Sequence, residues 1–179
     1  SNLMEISNGI AQKASLKDIL RIAVDKCFPE HEMSFGCVIL KDAQTNDYKL
    51  QYLHSSHEEQ LLRRGLADLK IALGIGVLGK AILKQEAIII DQSTKLNQEI
   101  EDFKRLFMIH NAIIAPISST GNAYGLIIAG NDRPHYFCTE TQKDLLQLFS
   151  KHIAIAVLNA RLTQEIEKFE VTDPLTGLY

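Results

Sequence analysis

The chain has 179 residues and a formal net charge of -3, with 46% apolar and 23% charged side chains, a size and mix suited to one globular domain with appended helices. No dense Lys/Arg block occurs, which argues against a nucleic-acid binder. The longest apolar runs, such as Ala112–Ile117 and Leu126–Ala129, fall far short of the about 20 residues that a membrane helix needs.

In chain order, Leu3, Ile6, Ile10 and Lys13 fall at helical spacing, three of them apolar, and predict an N-terminal helical extension over 1–15. Ser15 and Asp18 resemble a capping box that starts a helix bearing Ile19, Leu20, Ile22, Ala23 and Cys27, which Pro29 ends. Met33–Lys41 and Tyr48–His54 read as strands joined by the turn-forming run DAQTND (42–47), and so short a connection implies an antiparallel pair. Glu58–Leu69 reads as a helix with Leu61, Leu62, Leu66 and Leu69 on one face. Gly74, Gly76 and Gly79 lead into a short helix through Leu83, then a strand Ala87–Asp91. These glycines lack the Gly-Lys-Ser/Thr ending of a phosphate loop, and they suit a tight turn and close helix packing. Asn97–His110 reads as a helix, and Asn111–Ser118 and Ala123–Asn131 as strands around a tight turn at Ser119–Asn122. The unbroken apolar character of these two strands implies burial on both sheet faces, with helices covering each.

From Thr139 to about Val171 the pattern is helical and carries two stripes. Leu146, Phe149, Ile153, Ala156, Val157 and Ala160 suit packing on the sheet. Leu145, Leu148, His152, Ile155, Asn159, Leu162, Ile166 and Phe169 follow spacings of three and four, a heptad seam. Past Leu162 only the seam continues, so the helix is expected to leave its own domain there.

Three stretches in order resemble the GAF sensory family. LGIGVLGKAILKQEAIIIDQ (73–92) is similar to its glycine turn, short helix and strand ending in Asp. NAIIAPISSTGNAYGLIIAGND (111–132) is similar to its strand pair, with Pro in the first strand and Gly in the second, and FCTETQKDLLQLFSKHIAIAVLNARL (137–162) to its closing helix. The resemblance covers about 16–162 and implies an α+β fold: a mostly antiparallel central sheet with helices on both faces and long terminal helices. It also implies a regulatory domain that takes a small-molecule signal or partner. Val171–Tyr179 (VTDPLTGLY) resembles the opening of a GGDEF diguanylate cyclase domain, with Asp173, Leu175, Thr176, Gly177 and Leu178 matching position for position. Residues 163–172 would then be a signalling-helix linker and 173–179 the first residues of the cyclase. The Gly-Gly-Asp/Glu-Glu-Phe signature is not in this chain, so no catalytic residue is carried over. GTP and Mg2+ are expected only for the cyclase. The sequence itself requires no cofactor.

Asp91–His110 is a long interruption between strands, and loops between rigid elements often carry binding function, so a ligand pocket is expected between the sheet and this segment, with Asp91, Phe103, Phe107 and His110 as candidate wall residues. His110 has a competing structural reading, as a residue satisfied by carbonyls at a helix end. The Asn-Lys…Phe…Asp-Glu pattern of cyclic-nucleotide-binding members has no convincing copy here. Cys27, Cys37 and Cys138 are odd in number and widely spaced, fit neither a disulfide framework nor a CxxC knuckle, and suggest a reduced, cytoplasmic setting. His31 and Glu30 have no evident partners, and metal binding gains no support. The expected assembly is a homodimer through Ile155, Asn159, Leu162, Ile166 and Phe169. Three alternatives stand beside this reading: a ligand-free dimerisation module, a GAF-type redox enzyme or sensor using cysteines, and a different downstream output such as a phosphodiesterase.

Overall fold

The computed structural model describes Asp18 and residues 33–172. The expectations for the N-terminal helices, Cys27, His31 and the run Asp173–Tyr179 lie outside the described residues, as does the side chain of Phe169. Within the described part, β1 (Phe35–Lys41), β2 (Tyr48–His54), α1 (Glu58–Arg63), β3 (Asp68–Leu69), α2 (Gly76–Lys84), β4 (Ile88–Ile90), α3 (Gln98–Phe107), β5 (Asn111–Ser119), β6 (Asn122–Asn131) and α4 (Glu140–Thr172) follow in order. The six strands form one sheet in the order β3-β2-β1-β6-β5-β4, every neighbouring pair antiparallel.

Turn chemistry fixes the two hairpins. Asp42 Oδ1 accepts from the amides of Gln44 (2.8 Å) and Thr45 (3.0 Å), closing the β1–β2 turn. At the β5–β6 turn Thr120 (φ 50°) and Gly121 (φ 82°) are both left-handed, as a type I′ hairpin requires. Pro116 sits inside β5 without breaking a rung to β4, because pairing with β4 stops at Ile114.

Alternation along the strands divides the core in two. Val38, Leu40, Ile113, Ala115, Ile117, Ile127 and Ala129 face α4, meeting its Leu146, Phe149, Ile153 and Val157. Burying each such side chain contributes about 1.5–3 kcal/mol, which pins the first half of α4 to the sheet. Phe35, Cys37, Ile39, Ala112, Ile114, Leu126 and Ile128 face the other way, under α2, α3, Leu61 and Leu66. The fold is thus α+β with helices on both faces of an antiparallel sheet.

The segment 58–69 differs from the expected continuous helix. It ends at Arg63, Gly65 turns with φ +90°, and Leu66 inserts into the core. Asp68 and Leu69 then pair with Lys49 and Tyr48 as an edge strand. Leu62, assigned to the same face as Leu61, is instead exposed. α3 is shorter than Asn97–His110: Asn97 is its cap, accepting from the Ile100 amide at 2.9 Å, and Met108 closes it at φ 56°.

Candidate functional site

The pocket region foreseen beside Asp91–His110 is filled on its sheet side. Phe103 and Phe107 lie on the inner face of α3 with ring centroids 5.0 Å apart, and Phe107 meets Phe35 edge-on at 5.9 Å. Both α3 phenylalanines are buried. An open cleft of about 370 Å3 remains on the flank of α3, between it and the segment from Leu69 through the first turn of α2. Ile71, Ile75, Val77, Leu78, Phe103 and Leu106 give it apolar walls, and Glu99 and Asp102 stand on its rim. Lys80 Nζ bonds Glu99 Oε2 at 2.7 Å, tying α2 to α3 across the cleft. Asp102 accepts from Gln98 Nε2 at 2.7 Å.

The four candidate wall residues do not share this cleft. Phe103 lines it, whereas Phe107 belongs to the core. Asp91 Oδ1 accepts from the Ser93 amide (2.9 Å) and hydroxyl (2.7 Å), and its Oδ2 from the Cys138 amide (2.7 Å). Burial by itself would raise the Asp91 pKa, but these Ser93 and Cys138 bonds outweigh it and hold the carboxyl below its usual range. Asp91 therefore ties the end of β4 to the start of α4. His110 is 70% exposed, with Nδ1 3.7 Å from Asp132 Oδ1. It lies past the end of α3, which has already closed at Met108, and just before β5 its amide donates to Asn131 O at 3.0 Å.

The two described cysteines pack on opposite sides of the sheet, Cys37 with the α2–α3 core and Cys138 with the α4 core. Burial pushes the Cys37 thiol well up. Burial and the Asp91 carboxylate push Cys138 up to about 12. Neither thiol is poised as a nucleophile.

On α4 the two stripes separate from Leu148 onward, whereas Leu145, assigned to the seam, packs against the α4–sheet core. The sheet stripe is buried through Val157, while Ile155, Leu162 and Ile166 on the seam are 46%, 47% and 59% exposed. One contact had no sequence signal beyond a charge following the sheet stripe. Arg161, one turn past Val157, donates an Nη–H to the Lys41 carbonyl at the end of β1. Its guanidinium also lies 5.3 Å from the Tyr124 ring centroid.

With this geometry in place, the GAF domain family model matches residues 13–158. The chain belongs to the GAF family. Similar solved structures include the GAF domain of an Acinetobacter phosphoenolpyruvate-protein phosphotransferase, at 16% identity and TM-score 0.68, covering 90% of this chain and 93% of that one. A methyl-accepting chemotaxis protein fragment, residues 122 to 287, matches at 16% identity and TM-score 0.70, with 88% and 98% covered. The phycoerythrobilin-bound GAF domain of a cyanobacterial phytochrome matches at 15% identity and TM-score 0.70, with 91% and 96% covered. No curated protein matches the sequence. GAF domains are sensory modules. Among the described residues, no helix of this one is long and apolar enough to cross a membrane.

Proposed function

We propose that this GAF domain takes a small-molecule signal in the cleft between α2 and α3, forms a homodimer through the seam of α4, and controls a diguanylate cyclase entered at Asp173. The observation that carries this reading is the exposed seam. Ile155, Leu162 and Ile166 stand at heptad spacing on a 33-residue helix whose other stripe is already used by the sheet. A second copy of the helix supplies the missing cover. Asn159 favours one register at some cost in stability. The output is supported by the likeness of Asp173, Leu175, Thr176, Gly177 and Leu178 to a GGDEF opening. The cyclase joins two GTP molecules held by facing protomers, with Mg2+, so a dimeric sensor is suited to switching it. A cytoplasmic location follows from that substrate. A ligand role is supported by the apolar cleft and by the bilin held in one related GAF domain.

Light scattering on the Leu162→Asp, Ile166→Asp double variant tests the seam. The wild-type chain is expected to be a dimer and the variant a folded monomer. An unchanged dimer would move the interface elsewhere. The close packing of Phe35, Phe103 and Phe107 favours a second reading, a dimerisation module without ligand. That reading is favoured over a signal in this cleft if Leu106→Trp, which narrows the cleft, leaves the dimer and the output of a fused cyclase unchanged.

A further inference from the structure

The end of the sheet bearing the β1–β2 and β5–β6 turns holds a second cleft, of about 530 Å3. Ile71, Leu73, Ile82 and Leu83 give it an apolar side, and Leu73 and Leu83 are left exposed there. Its polar side carries Asn46, Gln85 and Asn122, and Gln85 is held by a 2.9 Å bond to the Gly121 carbonyl. Among the described residues that line the cleft, Lys41 is the one that carries a charge, and none is a carboxylate. Strand alternation puts Lys41 on the same sheet face as Ile39 of the α2–α3 core, so a lysine stands beside the apolar wall, a pairing that matches the chemistry of a carboxylate on a small apolar body.

The same two strand segments that line this cleft also hold α4. Lys41 lines the cleft, while its carbonyl accepts from Arg161. Ala123 lines the cleft as well, and the next residue, Tyr124, lies beneath the Arg161 guanidinium. Successive strand residues point to opposite faces: Ala123 packs with the α2–α3 core and Tyr124 with the α4 core. A ligand pressing on Lys41 and Ala123 acts from one side of the sheet on both contacts that Arg161 makes from the other.

We propose that this cleft is an input site for a small carboxylate with an apolar body, and that Arg161 is the positioning residue that passes its occupancy to α4. This rests on the sensory reading for the role of α4, and adds to it a site, a ligand class and a route. A ligand shifts a helix only by binding its two positions unequally. Here the inequality lies in whether the Lys41 carbonyl and the Tyr124 ring are placed to hold one guanidinium. Lysine cannot replace it, because a planar fork can donate and stack at once where an ammonium cannot.

The test is a titration of the 15N-labelled chain with phenylacetate, using 2-phenylethanol and 2-phenylethylamine as neutral and cationic counterparts. Phenylacetate is expected to shift the amides of Leu83, Gln85, Gly121 and Ala123 to saturation, and the amine to leave them unchanged. Lys41→Gln should weaken phenylacetate about fivefold, the upper end for a partly exposed ion pair, and remove its advantage over the alcohol. In the wild type the Arg161 Nε–H resonance and the amides of Leu162–Glu165 should respond too. In Arg161→Lys or Arg161→Gln the cleft amides should still shift while those of α4 stay still. No cleft response at about 10 mM, well above the millimolar Kd of a weak complex, would overturn the site, as would saturation at Val77, Phe103 and Leu106 instead. Equal binding of acid and alcohol would overturn the ligand class. Equal α4 responses in the Arg161 variants would overturn the route. Light scattering on the same samples reports the dimer separately, so failure here is distinguishable from failure of the seam.

Discussion

Burial deprives a carboxylate of water, so Asp91, 3% exposed, depends on the three donors that reach it from Ser93 and Cys138. Hydrogen bonds to a charged group contribute about 1.5–3 kcal/mol, and Asp91→Ala is expected to destabilise the domain by that order in urea unfolding. Its pH dependence has a definite sign. The folded pKa lies below the unfolded value, so the stabilisation is fully present above the unfolded pKa of about 3.9 and is lost as pH falls through the folded value. Below about pH 4 the wild type should therefore lose stability more steeply than Asp91→Asn, whose amide does not titrate there. Matching slopes would remove Asp91 from the acid-sensitive groups. The sequence placed this Asp at a strand end and linked it to a pocket. The partner that sets its role, the Cys138 amide, lies 47 positions away, beyond any local pattern.

Among the elements, those whose periodicity agrees with their surroundings were legible. β1, β2, β5 and β6 are apolar runs set between turn signals, and their bounds in the structure nearly coincide with those runs. The segment 58–69 was not, because Leu61, Leu62, Leu66 and Leu69 fit one helical face while Gly65 interrupts it. Its backbone at φ +90° lets Leu66 enter the core and frees the next residues to pair with β2. The cleft was legible only in part. Helical spacing in α3 marks Phe103 and Phe107 as inward-facing, but not whether the space they face is empty or filled. Gly79 supplies a prediction at this scale. A Cβ built there would stand 2.0 Å from the Ala72 carbonyl oxygen, backbone against backbone, in the loop that borders both clefts. Gly79→Ala must push the loop off α2, and overpacking of this kind costs about 1–3 kcal/mol. Thermal melts should show that loss. An unaltered melting temperature would mean that the loop moves freely, and that its approach to α2 does not define either cleft.

For the whole molecule, the two stripes of α4 divide its work. The sheet stripe and Arg161 hold the helix on its domain, and the exposed seam is the face that the proposed second copy would cover. If the dimer transmits rotation to a cyclase, phase along the linker must matter. A helix turns about 100° per residue. Seven residues inserted after Glu165 therefore return the entry at Asp173 to within about 20° of its original direction. Two residues turn it by about 200° and five by about 140°. Fused in frame to an active GGDEF domain at Asp173, the seven-residue insertion is expected to preserve regulation of cyclic di-GMP synthesis far better than the other two. The comparison is cyclase output with and without ligand, or basal output where no ligand is used, in proteins shown by light scattering to remain dimers. Arg161→Lys in the same fusion should shrink the difference in output with and without phenylacetate, and a full-sized difference would remove Arg161 from the route. If all three insertions behave alike, the helix past Leu162 is a tether, and control of the cyclase must rest on proximity rather than orientation.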